Sequence, residues 1–90
     1  MAAAKWWTVD IYLDEDPETR HTRAEARLHT GDPSDVRGYG TSSRSPRDPD
    51  VPKIGDELAA ARALANLAEH LRRTAAADVE ALSTQASHGW

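Results

Sequence analysis

The feature that most constrains this chain is the alanine- and leucine-rich stretch at residues 54–82. Its apolar side chains recur in steps of three or four residues, which stacks them along one side of an α-helix. Alanine, the strongest helix former, fills much of the remainder. At about 1.5 Å per residue the helix would measure about 43 Å, longer than a small domain is wide. The apolar stripe consists of Ile54, Leu58, Ala61, Leu64, Leu67, Leu71, Ala75, Val79 and Leu82.

The two halves of this predicted helix are expected to do different things. Residues from Leu58 to Leu71 should cover the rest of the fold. Beyond Arg72 the helix outruns any small sheet, and Thr74 is a plausible place for a bend. We therefore expect the later apolar side chains to contact a second subunit, through Leu71, Ala75, Val79 and Leu82.

Three segments before the helix alternate in the manner of β-strands, at residues 6–13, 19–30 and 35–43. In the second, Ala24, Ala26 and Leu28 share one face, and in the third Gly38 and Gly40 would turn towards the helix. The acidic run at residues 14–18 contains a proline and predicts a turn. The result is an α+β fold in the order β-β-β-α, a three-stranded antiparallel meander followed by a long C-terminal helix. Residues 6–83 would form the domain, with flexible ends at 1–5 and 84–90.

Composition narrows the functional classes. The 90 residues include no cysteine, so no thiolate metal site or thiolate nucleophile is available. The formal net charge of the chain is −4. The four histidines lack the spacing of metal ligands. No catalytic set converges, and we expect no cofactor, no metal and no small-molecule substrate. The absence of cysteine is in keeping with a reducing cytosol, so we expect a cytoplasmic protein. No stretch has the length and apolar character of a membrane span.

Large core candidates are few for a stable monomer, which favours a homodimer. They are Trp6, Trp7, Val9, Ile11, Leu13, Leu28, Val36, the helix leucines and Val79.

Positive charge gathers on the predicted strands. Arginine forks suit phosphate oxygens and a tyrosine ring can stack on a base, so this face is a candidate contact for RNA or the ribosome. The alternative is a solvated sheet face on which arginines pair with Glu25. The residues concerned are Arg23, Arg27, His29, Arg37 and Tyr39.

Four segments together resemble one family: WTVDIYLD at residues 7–14, TRAEARL at 22–28, GYGT at 38–41 and VPKIGDELAAARALANLA at 51–68. The family consists of small uncharacterised actinobacterial proteins with a fold like that of the double-stranded-RNA-binding domain. Some members are linked with the hypoxic or dormancy response, and their dimers have been likened to ribosome hibernation promoting factors. The resemblance implies a dimeric β-β-β-α protomer, a role in silencing translation, and no catalytic residues.

Two functions follow as hypotheses. The first is a non-catalytic stress or dormancy protein that associates with the ribosome or structured RNA. The alternative is a protein–protein interaction adaptor with no nucleic-acid role, which the net negative charge favours.

Overall fold

The computed structural model describes residues 3–32, 36–45, 47 and 51–88. Three strands, β1 (Thr8–Asp16), β2 (His21–His29) and β3 (Val36–Ser43), precede one long helix, α1 (Pro52–His88). The strands form one antiparallel sheet in the order β1-β2-β3. The predicted α+β class and β-β-β-α order are therefore confirmed.

β1 is longer at its end than the sequence predicted. Asp14, Glu15 and Asp16 were expected in a turn, but they continue the strand, and the turn is confined to residues 17–20. The physical reason lies across the sheet, where Asp14 is opposite Arg23 and Asp16 is opposite His21. Cross-strand pairs of this kind stabilise a sheet, and they make acidic residues acceptable in β1.

The face of the sheet that contacts α1, called the inner face below, is built from very small residues. Ala24 and Ala26 of β2 are buried opposite Gly40 and Gly38 of β3, as the alternation predicted. A Cβ atom on Gly38 would overlap the carbonyl oxygen of Ala63 and the amide nitrogen of Leu67. The helix backbone thus rests almost directly on β3, and only glycine fits there.

The predicted covering face of the helix was correct at Leu67 and Leu71 and wrong at Leu58 and Leu64. The residues that α1 places against the sheet are Gly55, Ala59, Ala63 and Leu67, a stripe with a spacing of four residues. Leu58 is 45 % exposed and Leu64 is 42 % exposed, although both were expected in the core. A leucine in place of Ala59 or Ala63 could not enter so close a contact, so the helix turns its small stripe inwards.

The core is correspondingly small and lies over β2 and β3. It comprises three residues of β2 and three of α1, with Val36 and Leu71 packed against it. The large candidates from β1 are outside it, since Val9, Ile11 and Leu13 are each 40 % exposed. Trp6, which precedes β1, is 91 % exposed. They were expected in the core, but α1 lies over the two other strands.

α1 continues without interruption through Thr74, whose hydroxyl donates a hydrogen bond to the His70 carbonyl oxygen at 2.9 Å. It ends at His88 instead of Leu82, so it takes in most of the predicted C-terminal tail. Gly89 and Trp90 lie outside the described residues. The helix measures about 55 Å against about 30 Å for a nine-residue strand, so its second half projects beyond the sheet. No helix of the described chain combines the length and apolar character needed to cross a membrane.

Candidate functional site

The structure brings the five predicted binding residues together on one face of the sheet. Because side chains alternate along a strand, residues next to the buried alanines and glycines point away from α1. We call this side the outer face. It holds Arg23, Arg27 and His29 of β2 beside Arg37 and Tyr39 of β3.

Glu25 lies at the centre of the outer face and bridges two of the predicted arginines. Its Oε1 atom accepts hydrogen bonds from Nη2 of Arg27 at 3.3 Å and from Nη1 of Arg37 at 3.2 Å. Both arginine side chains remain about 40 % exposed. The pairing through Glu25 that the sequence offered as the alternative is therefore present, and a phosphate would have to compete with it.

Acidic residues of β1 balance the rest of this face. Asp14 is opposite Arg23 and Asp10 is opposite Arg27, while the Asp10 carboxylate contacts Nε2 of His29 at 2.9 Å. At the end of the strand, a hydrogen bond from the Glu18 amide lowers the pKa of Asp16. The sequence reasoning missed this balance because it placed Asp14 and Asp16 in a turn. The outer face presents four carboxylates against three guanidinium groups: Asp10, Asp14, Asp16 and Glu25 against Arg23, Arg27 and Arg37.

The depressions on the outer face are open and mixed in charge. One is lined by Asp10, Tyr12, Glu25 and Arg27, and its neighbour reaches Tyr39. In the part of the chain that is described, no three histidine or carboxylate side chains cluster closely enough to hold a metal ion. These depressions thus differ from the enclosed pockets that are typical of small-molecule sites.

The edge of the sheet formed by β3 is closed by polar side chains of α1. Asn66 accepts a hydrogen bond from the Tyr39 amide at 2.8 Å, and Arg62 donates one to the Thr41 carbonyl oxygen at 2.7 Å. Nδ1 of His70 lies 2.6 Å from the Arg37 carbonyl oxygen, which can only accept, so Nδ1 carries the proton. These three helix residues are spaced by four and follow the strand edge. The sequence analysis assigned no role to these three residues, and their spacing of four was the only signal that could have grouped them on one side of the helix.

The opposite edge, formed by β1, is open. Every residue of β1 is exposed. Between Thr8 and Glu15, no side chain of the described residues hydrogen-bonds to the outward backbone groups of this strand. An unpaired edge with exposed valine, isoleucine and leucine is the kind of surface that binds another strand.

Comparison with known proteins agrees with this architecture. The model of a protein family described as Rv2632c-like matches residues 5–88. The chain belongs to the Rv2632c-like family. The crystal structure of Rv2632c superposes with a TM-score of 0.77 and 39 % identity, covering 89 % of this chain and 92 % of that one.

Two mycobacterial relatives extend the comparison. The uncharacterized protein Rv2632c of Mycobacterium tuberculosis is 42 % identical over 77 residues, which covers 86 % of this chain and 80 % of the relative. The uncharacterized protein Mb1767 of Mycobacterium bovis is 42 % identical over 79 residues, covering 88 % and 81 %. Membership of the Rv2632c-like family thus establishes the fold and assigns no activity.

The residues predicted to form a dimer interface lie on the projecting part of α1 and where it leaves the sheet. Leu71 is half-buried beside the core, whereas Val79 is 63 % exposed and Leu82 is 67 % exposed. A depression where the helix leaves the sheet joins Leu71 and Ala75 to Trp7. These side chains are accessible for the predicted contact, which stays a prediction.

Proposed function

We propose that this member of the Rv2632c-like family is a non-catalytic protein–protein interaction adaptor. The observation that supports this most directly is the open β1 edge, beside which Val9, Ile11 and Leu13 are exposed. A contiguous apolar strip next to unpaired backbone groups is a typical protein docking site. The excess of carboxylates on the outer face disfavours a polyanionic partner.

This proposal includes self-association. The apolar side chains of the projecting helix at Leu71, Ala75, Val79 and Leu82 are surfaces for a second copy or for another protein. The absence of cysteine from the chain fits a reducing cytoplasm, where we place the protein.

Affinity capture with the full chain as bait tests the adaptor function. The same proteins should be retained after nuclease treatment, and an Ile11→Glu variant should lose them because it places a charge on the exposed strip. A matched variant with Arg23, Arg27 and Arg37 replaced by alanine should retain them. Nuclease-sensitive capture, or capture that Ile11→Glu leaves intact, would contradict this function.

The second candidate is a stress or dormancy protein that silences translation on the ribosome or on structured RNA. It is favoured by the grouping of Arg23, Arg27, His29, Arg37 and Tyr39 on one exposed face, with Tyr12 beside them. Arginine forks can bind phosphates, and exposed tyrosine rings can stack on unpaired bases. The likeness of the fold to a double-stranded-RNA-binding domain and the link with hypoxia belong to this second proposal.

Co-sedimentation with ribosomes at low and moderate salt tests it. Replacing Arg23, Arg27 and Arg37 with alanine should abolish pelleting. Glu25→Gln should instead strengthen it, because that substitution frees two arginines from their bridge. Glu80→Gln makes the same change of charge on the exposed helix and should have a much smaller effect. If the unaltered chain never pellets, this candidate fails and the adaptor remains.

A further inference from the structure

We infer that the depression where α1 leaves the sheet binds an arginine side chain presented by a partner protein. The depression has a volume of about 250 Å³, and its lining includes Trp7, Asp32 and Asp78 from three separate parts of the chain. This inference rests on the proposed adaptor function and states what chemistry a partner must present. It uses a surface other than the open β1 edge.

The depression exists because α1 continues where the strands stop. In the register of the sheet, Thr8 at the start of β1 lies opposite His29 at the end of β2, and Leu28 lies opposite Val36 at the start of β3. The helix runs on past these strand ends through Asp78. It therefore passes over the end of the sheet, and the space between the two is left open.

The apolar part of the lining is the end of the hydrophobic core. Leu28 is buried, whereas Val36 and Leu71 pack against the core and remain partly exposed. Trp7 is 53 % exposed and adds an aromatic side chain to this lining. The methylene groups of an arginine can cover such a surface while the charged end of the side chain stays near water.

The charged part of the lining is negative. Asp32 and Asp78 belong to it, and no described lysine, arginine or histidine does. Among the residues that the structure describes, none forms an ion pair with either carboxylate. Other carboxylates are compensated, since Glu25 and Glu69 each pair with two arginines. The depression therefore carries negative charge that a cation from outside can neutralise.

Local hydrogen bonds hold one aspartate in place and leave the other without a neighbouring hydroxyl donor. The Asp32 amide donates a hydrogen bond to Oγ1 of Thr30 at 3.3 Å, which fixes the backbone just after β2. The Thr74 hydroxyl, which also lines the depression, donates to the His70 carbonyl oxygen. Its proton is thus directed back to the helix and is not shared with Asp78.

Arginine suits this combination of groups better than lysine does. Its guanidinium group is planar, stacks on aromatic rings and has donors for more than one carboxylate. It is also more weakly hydrated than an ammonium group, so it loses less on entering a mainly apolar space. The volume of about 250 Å³ is below the range of about 300–1,000 Å³ for small-molecule pockets, which favours one side chain over a free ligand.

NMR titration of the nitrogen-labelled full chain with a defined peptide tests the inference. The probe is a blocked Gly-Ser-Arg-Ser-Gly peptide. The indole N–H signal of Trp7 and the amide signals of Asp32 and Asp78 should shift with millimolar affinity, because exposed ion pairs and single cation–π contacts are weak. The same peptide with citrulline, which keeps the shape of arginine and lacks its charge, should cause no shifts. A lysine peptide should bind more weakly than the arginine peptide.

A pair of charge variants locates the site. Asp32→Asn combined with Asp78→Asn should weaken binding of the arginine peptide about tenfold, because both acceptors lose their charge. Asp14→Asn combined with Glu80→Gln makes the same change in net charge at exposed positions away from the depression. That control should weaken binding less than about twofold, since distant exposed charges are screened by salt.

A pair of tryptophan variants tests the aromatic contact. Trp7→Ala should weaken binding about threefold, read from the amide signals of Asp32 and Asp78. Trp6→Ala removes a neighbouring indole that is 91 % exposed and does not line the depression, and it should leave the affinity unchanged. The dispersion of the amide signals in the same spectra shows that each variant is folded.

Several results would overturn the inference. Citrulline and arginine peptides that bind equally would show that charge is not recognised, and equal losses in the two charge variants would place the site elsewhere. Equal affinities of Trp7→Ala and Trp6→Ala would exclude the aromatic contact. If the amide signals of Asp32 and Asp78 shift when the chain alone is concentrated, a second copy occupies the depression.

Failure here is distinguishable from failure of the adaptor function. If the arginine peptide causes no shifts while Ile11→Glu still loses captured proteins, the arginine site is wrong and the adaptor stands. If the peptide binds as expected while Ile11→Glu captures the same proteins as the unaltered chain, the adaptor function at the β1 edge fails and the arginine site stands.

Discussion

The two edge strands of this sheet, β1 and β3, are separated only by β2, yet their outer edges differ: one is closed and the other is open. At β3, glycines let the helix approach until Arg62, Asn66 and His70 reach the strand's own backbone. At β1, large apolar side chains stand exposed on the inner face and the backbone edge is open. The difference teaches that one helix can protect only one edge of a small meander. The other edge remains open in this structure.

The largest effect is expected from enlarging the residues at the closed edge. Gly40→Ala places a methyl group on the backbone of Ala59 and Ala63 and should lower the free energy of unfolding by about 3 kcal/mol. Leu13→Ala changes the same row of the sheet on β1, where the side chain is 40 % exposed, and should cost less than about 1 kcal/mol. Urea unfolding of both variants, at concentrations too low for association, measures the contrast.

Equal losses in these two variants would break the comparison, because they would show that β1 is packed as closely as β3. A Gly40→Ala variant as stable as the unaltered chain would show that the helix can move away from the sheet at little cost.

The next effect concerns the polar side chains that protect β3. Asn66→Ala removes the acceptor of the Tyr39 amide, and a lost hydrogen bond of this kind costs about 1 kcal/mol. Alanine is also a better helix former than asparagine, so unfolding experiments will understate the loss. Hydrogen exchange of the Tyr39 amide is the direct measurement and should accelerate. Asn66→Asp keeps an accepting oxygen and should restore protection; an unchanged rate in Asn66→Ala would show that this side chain does not close the edge.

The smallest effect is expected where the helix leaves the sheet. The side chain of Glu69 accepts hydrogen bonds from Arg72 and Arg73, and the first of these is the main cause of a Glu69 pKa lowered from 4.5 to about 2. The folded helix therefore favours the carboxylate, so the stabilisation is complete above pH 4.5 and is lost as the pH falls towards 2. Thermal unfolding should show Glu69→Gln below the unaltered chain at pH 7, with the gap closing over that interval.

Glu80→Gln is the matched control, since it makes the same change of charge further along the projecting helix. A gap between Glu69→Gln and the unaltered chain that persists at pH 2 would show that it does not come from the ionised carboxylate. The pH dependence of the stability of Glu69→Gln would also sharpen the comparison of the two edges. It measures the contribution of ion pairing within α1 separately from the contribution of packing at the closed β3 edge.

The sequence was sufficient for the order of the elements and for the inner face of the sheet. Alternation placed Ala24 and Ala26 correctly, and it turned Gly38 and Gly40 towards the helix. It failed at Leu58 and Leu64 because hydrophobic spacing selects the leucines, whereas the close approach of the helix at Gly40 leaves room only for small residues such as Ala59 and Ala63. It was correct at Leu67, which is buried in the core. The signal that could have identified the correct stripe is the spacing of four between the small residues Gly55, Ala59 and Ala63, which matches the small inner-face residues of β2 and β3.

The sequence predicted which five residues would share the outer face, but it did not predict the carboxylates that offset their positive charge. The five predicted residues do share the outer face, but the carboxylates opposite them depend on how β1 aligns with β2. Strand register is a non-local property, and a run such as Asp14-Glu15-Asp16 carries no local sign that it will continue a strand. The functions of Asn66 and His70 were hidden for the same reason, since their partners are backbone atoms more than 25 residues away.

The contact of Gly38 and Gly40 with the helix backbone also governs rotation. With scarcely more than hydrogen atoms and methyl groups between the two layers, α1 cannot turn about its axis without collision. The directions in which Leu58 and Leu64 point are consequently fixed relative to the sheet. Because both side chains are partly exposed and lie outside this contact, their replacement should leave the packing of α1 on the sheet intact.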